Sequence, residues 1–361
     1  MKYICILFIL LILFSCNRSE KQAIRKITID PVLSDSAGLS NIASGVEKIL
    51  LETNDSCLIT RVNEIEMSGP YIFINDAGKR ILQFDTSGKF IKQIGRQGRG
   101  PGEYLNINNI ALDSANHLLY AGFFRKIMVF EFSGKYINEI DQKSFSEYID
   151  VIDNKLWTVS TINGISTENN KFINLTQLIR YSLQGESIDT IKVKKVILEN
   201  VIGTIYPQAY YISDIGTLQF LYFPVLIKEP ILRDTLYQVK ENNLAPFIKL
   251  DFGNEGVPKN GKKPVVINNI FRTKRFLFAE YNYNRDPKLF CLDLEDKSFR
   301  YNLKQGFTDD VYGTGIIRLR PLDLKNGIMY YVKDAFEVKS KIKGLTENSN
   351  PVIFVVKIKR E

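Results

Sequence analysis

Histidine is almost missing from this chain: His117 stands alone among 361 residues. A histidine-rich metal centre therefore cannot be assembled, and a nucleophile–histidine–carboxylate triad has no candidate base besides His117. That residue opens a strand beside a tight turn, without the usual partners at hand. Cysteine is scarce as well, at four, so no disulfide framework holds the fold. The single tryptophan, Trp157, falls on an apolar strand and is read as core. Helical periodicity never persists. The longest early apolar run covers residues 4–14, far short of the roughly 20 residues a spanning helix needs. Lys and Arg outnumber acids, 48 to 40, but they are scattered among the acids and form no stripe. Nucleic acid is therefore not the expected partner, and the basic balance reads as a solvated surface.

What is present begins at the N-terminus. Met1-Lys2 is a short basic start, and residues 4–14 suit the core of a signal peptide. The run ends in Leu13-Phe14-Ser15-Cys16, which resembles a bacterial lipobox. The resemblance implies cleavage before Cys16 and lipid on its thiol. The protein is then expected on the cell envelope, at the outer membrane, held to the bilayer by acyl chains that each contribute about 0.8 kcal/mol per buried methylene. Removing residues 1–15 leaves 346 residues and lowers the formal charge from +8 to +7. Cys57 and Cys291 remain, expected as two separate buried thiols and not as a bridge. Residues 16–45 are the least patterned part, with a polar stretch at 17–22 that suits a tether. A truncation of 17–40 is on this reading nearly harmless.

From residue 46 onward strands alternate with Gly, Asn, Asp and Ser turns. The glycine-rich I-G-R-Q-G-R-G-P-G-E-Y at 94–104 lacks the Lys-Ser/Thr ending and the following helix of a phosphate loop. It reads as a connection between strands, with Glu103 and Tyr104 anchoring the turn. A repeat decides the architecture. F-D-T-S-G-K at 84–89 returns as F-E-F-S-G-K at 130–135 and as Y-S-L-Q-G-E from Tyr181. Looser copies follow near Leu236 and Leu289. A four-stranded unit recurring at this spacing is what a β-propeller requires. Six inner strands are expected near residues 61, 107, 147, 208, 266 and 314. The terminal strand at 352–358 has no fourth strand behind it, and V-E-K-I-L-L-E from Val46 is the expected donor that closes the ring.

The lipobox, V-E-K-I-L-L-E-T at 46–53, Y-I-F-I-N-D at 71–76 and G-R-G-P-G-E-Y together resemble the six-bladed β-propeller lipoproteins of Gram-negative gut bacteria, with NHL-like blades. The resemblance is strongest over residues 46–141. It implies an all-β fold of six four-stranded antiparallel blades over 46–361, and no particular activity.

Loop lengths point to one functional face. The connections at 68–70, 87–88, 114–116, 133–134 and 184–185 are short. The opposite face carries long ones at 96–106, 161–174, 194–206, 253–264 and 334–350, where binding usually resides. Arg96 and Arg99 stand there among several lysines, so an anionic or hydroxyl-rich partner is expected: a glycan, a peptide or an envelope protein. Arg96, Arg99, Asn108, Gln208 and Asn268 are the candidate ligand contacts. Enzyme chemistry has little support and no cofactor is expected. The alternative is a lactonase-like site in which Asn63, Asn108, Gln208, Asn268 and Glu66 supply oxygens to calcium at the channel mouth. Asp35-Ser36, Asp113-Ser114, Asp189-Thr190 and Asp234-Thr235, each before an apolar residue, resemble O-glycosylation acceptors of some gut bacteria.

Overall fold

The computed structural model describes residues 24–142, 144–202, 212–224, 231–258 and 262–360. Cys16 and Gln208 lie outside them. Six antiparallel sheets follow one another along the chain. Their inner strands are Val62–Ser68, Asn109–Asp113, Ser146–Ile152, Ile212–Asp214, Val265–Arg272 and Arg320–Asp323. They define blades 1 to 6 of a β-propeller. Each of the six larger hydrophobic clusters belongs to a pair of neighbouring blades. Phe73, Ile81 and Ile94 of blade 1 pack on Leu119, Met128 and Phe130 of blade 2. Ile49, Tyr330 and Ile353 of blade 6 pack on Ile65, Ile74 and Leu82 of blade 1. The apolar alternation of the strands is thereby used on both sheet faces, which stacks blades around an axis instead of making one sandwich.

The repeated turn is the same object in three blades. The chain takes a positive φ at Gly88, Gly134 and Gly185, at 90°, 91° and 95°. In each, the backbone N–H three residues earlier reaches across the turn: Asp85 to Lys89 O, Glu131 to Lys135 O, Ser182 to Glu186 O. Each is flanked by a register shift, after Gln83, Val129 and Arg180. Only glycine adopts this conformation without strain.

The ring closes as expected. Ala43–Leu50 pairs antiparallel with Val352–Ile358, with Val46 opposite Val356 and Ile49 opposite Ile353, and becomes the outer strand of blade 6. Ile49 and Leu51 are buried, while Val46 and Leu50 pack part-buried against the core of blades 5 and 6. Cys57 and Cys291 are both buried and free. Trp157 is buried in the second strand of blade 3.

Three parts of the sequence reading need correction. Residues 25–42 are no tether. Arg25–Thr28 runs parallel to Leu244–Asp251 as a fifth strand on the outer edge of blade 4. The chain then crosses blade 5 through bridges of Asp35 to Leu303 and Gly38 to Thr308, burying Ile27, Ile29, Leu39 and Ile42. It is a strap, and its apolar residues are too widely spaced to show as a strand pattern. Second, the sixth inner strand is not at 314. A two-stranded hairpin, Phe307–Asp309 with Gly315–Ile317, occupies that place, tied by Asp309. Third, 161–174 is mostly ladder: Lys155–Ser166 and Phe172–Tyr181 pair out to Ser166 opposite Phe172, so blade 3 projects as a long hairpin.

Candidate functional site: the propeller channel

The inner strands converge on the axis and enclose a cavity of ≈ 250 Å³. Their sequences explain its character. N-E-I-E-M in blade 1 and Y-I-D-V-I in blade 3 put polar side chains at alternate positions, so Glu64 and Glu66, and likewise Tyr148 and Asp150, share a strand face. All four line the cavity, together with Asn63, Asn108, Glu147, Asp214, Asp323 and Arg320.

The carboxyl groups are differently held. Glu64 Oε2 accepts the Ile110 N–H at 2.7 Å. Asp150 accepts the Tyr148 hydroxyl at 2.9 Å and the Val151 N–H at 2.7 Å. Burial pushes Glu64 up to about 8, against the pull of the Ile110 N–H. Asp150 is pushed up to about 6, again mainly by burial. Glu66 stands well above the carboxylate range, through burial and then through the charges of Glu64, Asp150 and Asp323. Tyr148 is raised for the same reasons, burial first and Asp150 next. Asp214 is raised by burial too, although Gly216 N–H and the Gln219 amide bond to it. At neutral pH the wall therefore offers protonated carboxyls that donate beside ionised ones that accept. Among the described residues no group of three histidine, cysteine, aspartate or glutamate side chains is gathered to hold a metal ion.

The candidates from sequence are scattered. Asn108 lines the channel, and its side-chain Nδ2 is buried with no hydrogen-bond partner. Asn63 and Glu66 line it too. Asn268 is exposed at a bulge of the blade 5 inner strand and is not part of the cavity wall. Arg96 and Arg99 are exposed on the glycine loop, outside the cavity. Arg96 Nε pairs with Glu103 Oε1 at 2.6 Å. Glu103 also accepts the Gly100 N–H, and the buried Tyr104 hydroxyl donates to Ile94 O at 2.7 Å, so these two residues do fasten the turn. Of the rim lysines, Lys194 is buried and donates to Pro224 O. Lys339 pairs with Glu347 and Lys341 with Gly313 O. Sequence reasoning missed Glu64, Tyr148 and Asp150. Their signal was a polar side chain at alternate positions of the strand, Glu64 with Glu66 and Tyr148 with Asp150.

The fold is that of a six-bladed, channel-centred β-propeller. The chain is a member of DUF4934, a domain of unknown function, matched over residues 25–357. Among solved structures it is similar to a protein of Bacteroides fragilis described as exported, with a TM-score of 0.66 and 18% identity, over 93% of this chain and 100% of that one. That likeness shows the fold. The WD40 domain of Neurospora crassa Pan2 is more remote, with a TM-score of 0.43 and 8% identity, over 83% of this chain and 76% of that one. No functionally curated protein matches the chain.

Proposed function

We propose that the protein is a lipid-anchored envelope module whose propeller channel binds a hydroxyl-rich ligand, a glycan above all. The observation that carries this reading is the polar channel wall, where Glu64, Glu66, Tyr148, Asp150 and Asn108 converge on one concave site. Glu64 at about 8 and Asp150 at about 6 set hydrogen-bond donors and acceptors side by side in one concave site. Hydroxyl groups, which both donate and accept, are satisfied by such a wall. A simple anion is repelled by the ionised members and an apolar ligand leaves them unpaired. The lipobox and the exported relative favour an envelope location, with Cys16 carrying the lipid at the outer membrane. The NHL-like blade motifs fit a binding scaffold equally well.

Calorimetry on the mature chain in detergent, with neutral oligosaccharides, tests the reading. Binding that weakens at least tenfold, or about 1.4 kcal/mol, in Asp150→Asn at unchanged melting temperature supports it. Retained calcium with lactone hydrolysis would support the lactonase-type reading in its place.

A further inference from the structure

The channel has a second chamber at its mouth. A cavity of ≈ 520 Å³ lies between blades 6 and 1 on the long-loop face, and Arg320 and Tyr330 line both it and the channel. These two residues stand at the boundary between the two spaces. Their charge is opposite. The inner wall carries carboxyl groups, whereas the mouth gathers Arg61, Arg318, Arg320 and Lys333 against Asp334 and Glu337.

The guanidinium groups are positioned, not scattered. Arg61 Nε donates to Asn63 Oδ1 at 3.0 Å, and Arg320 Nη1 donates to the Asn63 carbonyl at 3.2 Å. Asn63 thus draws two arginines from different blades to one point at the top of the channel. Arg318 Nε donates to Gln305 O at 2.7 Å, and Lys333 to Ile316 O at 3.1 Å. The acceptors of Arg61, Arg318 and Lys333 are neutral oxygens, so these bonds leave the charge of those three side chains in place. Arg61 and Arg318 use the Nε edge, which leaves the Nη donors for a planar anion. The two acids are engaged with each other's segment: Glu337 Oε2 accepts the Asp334 N–H at 3.2 Å. Arg318 and Arg320 lie near Glu280 of blade 5 and oppose the rise that burial imposes on it.

We propose that the mouth chamber is a carboxylate subsite, in which Arg61, Arg318 and Arg320 hold the single acidic group of a sugar whose neutral hydroxyl-bearing part enters the channel. This deepens the binding reading above and rests on it. The acid wall below the mouth argues against a polyanion, because every further negative group would face Asp150 and its neighbours. It also argues against an extended peptide, whose backbone and apolar side chains would leave the channel carboxyls unpaired.

The test uses the mature chain in detergent and a matched pair of probes: a neutral disaccharide capped by one glucuronic acid, and the methyl ester of the same molecule. Esterification removes the charge and keeps the hydroxyls. The acid is expected to bind at least about tenfold more tightly than the ester, with the advantage shrinking as salt is added. In Arg61→Gln/Arg318→Gln the acid should fall to the level of the ester, while ester affinity and melting temperature stay as in the wild type. Equal affinity for acid and ester overturns the carboxylate subsite but leaves the channel reading standing. Failure of both to bind overturns both. Arginine-dependent binding of a tripeptide with a free carboxylate, where the acidic sugar does not bind, overturns the choice of a sugar.

Discussion

Single residues show how one turn can have different costs in different blades. Gly88 and Gly134 have the same φ, at 90° and 91°, and the same cross-turn hydrogen bond. A Cβ on Gly88 would sit 2.0 Å from the carbonyl oxygen of Leu50 in the closing strand, whereas one on Gly134 makes ordinary contacts with the side chains of Lys92 and Ile94, at 3.5 and 3.6 Å. Gly134→Ala should therefore show the backbone strain alone, roughly 1–2 kcal/mol. Gly88→Ala should cost clearly more, because the closing strand must move away. Urea melts of the two variants give the comparison, and equal costs would mean that Leu50 does not lie against this turn. A second residue-scale prediction concerns pH. Glu64 is raised from its ordinary 4.5 to about 8, so the folded state holds its proton more tightly than the unfolded one. Its contribution to stability is present in full below the ordinary value and is lost as pH rises through about 8. Glu64→Gln, permanently neutral, should melt with the wild type at pH 5 and above it at pH 9. Parallel curves for the two proteins would show that Glu64 is well solvated.

Elements differ in how plainly their sequences announce them. The blades with F-x-x-S-G-K turns were legible because Gly88 and Gly134 must be glycine and the flanking strands alternate strictly. The closing strand was legible from an unpaired partner at 352–358. The strap at 25–42 was not, because its buried residues Ile27, Ile29, Leu39 and Ile42 touch two blades in turn and follow neither surface's period. The hairpin at 307–317 was mistaken for an inner strand because both are short and apolar-edged. What defines it is Asp309, whose carboxylate accepts the N–H groups of Val311, Tyr312 and Thr314 and the Tyr331 hydroxyl. Burial raises Asp309, yet these bonds outweigh it and hold it below the usual range. Its contribution is thus present at neutral pH and lost as pH falls below about 4. Asp309→Asn should lower stability by about 1–3 kcal/mol at pH 7, with the gap to wild type narrowing in acid. The channel was half legible. Asn63, Asn108 and Glu66 were placed on it from strand ends, but the carboxyl cluster arises from blades 1 and 3 meeting on the axis, a juxtaposition that no local pattern encodes.

At the scale of the whole molecule, the ring is held shut by chain that precedes it. The segment 25–50 leaves blade 4, crosses blade 5 and completes blade 6, so three of the six blades share their outer edge with the N-terminus. A lipid at Cys16 would then act on the propeller through the edge of blade 4, where Arg25–Thr28 is paired. Separate burial of Ile27, Ile29, Leu39 and Ile42 is worth about 1.5–3 kcal/mol each before ordering costs. Most of the molecule's cooperativity should depend on this segment. The most direct measurement is the melting of three truncated chains beginning at Ile24, at Ala43 and at Leu51. The first should match the mature protein. The second keeps the ring but loses the strap, and should melt at least about 5 °C lower. The third leaves Val352–Ile358 as an open apolar edge and should aggregate or fail to fold. Equal melting of all three chains would contradict the account, since it would mean that neither the strap nor the closing strand holds the propeller together.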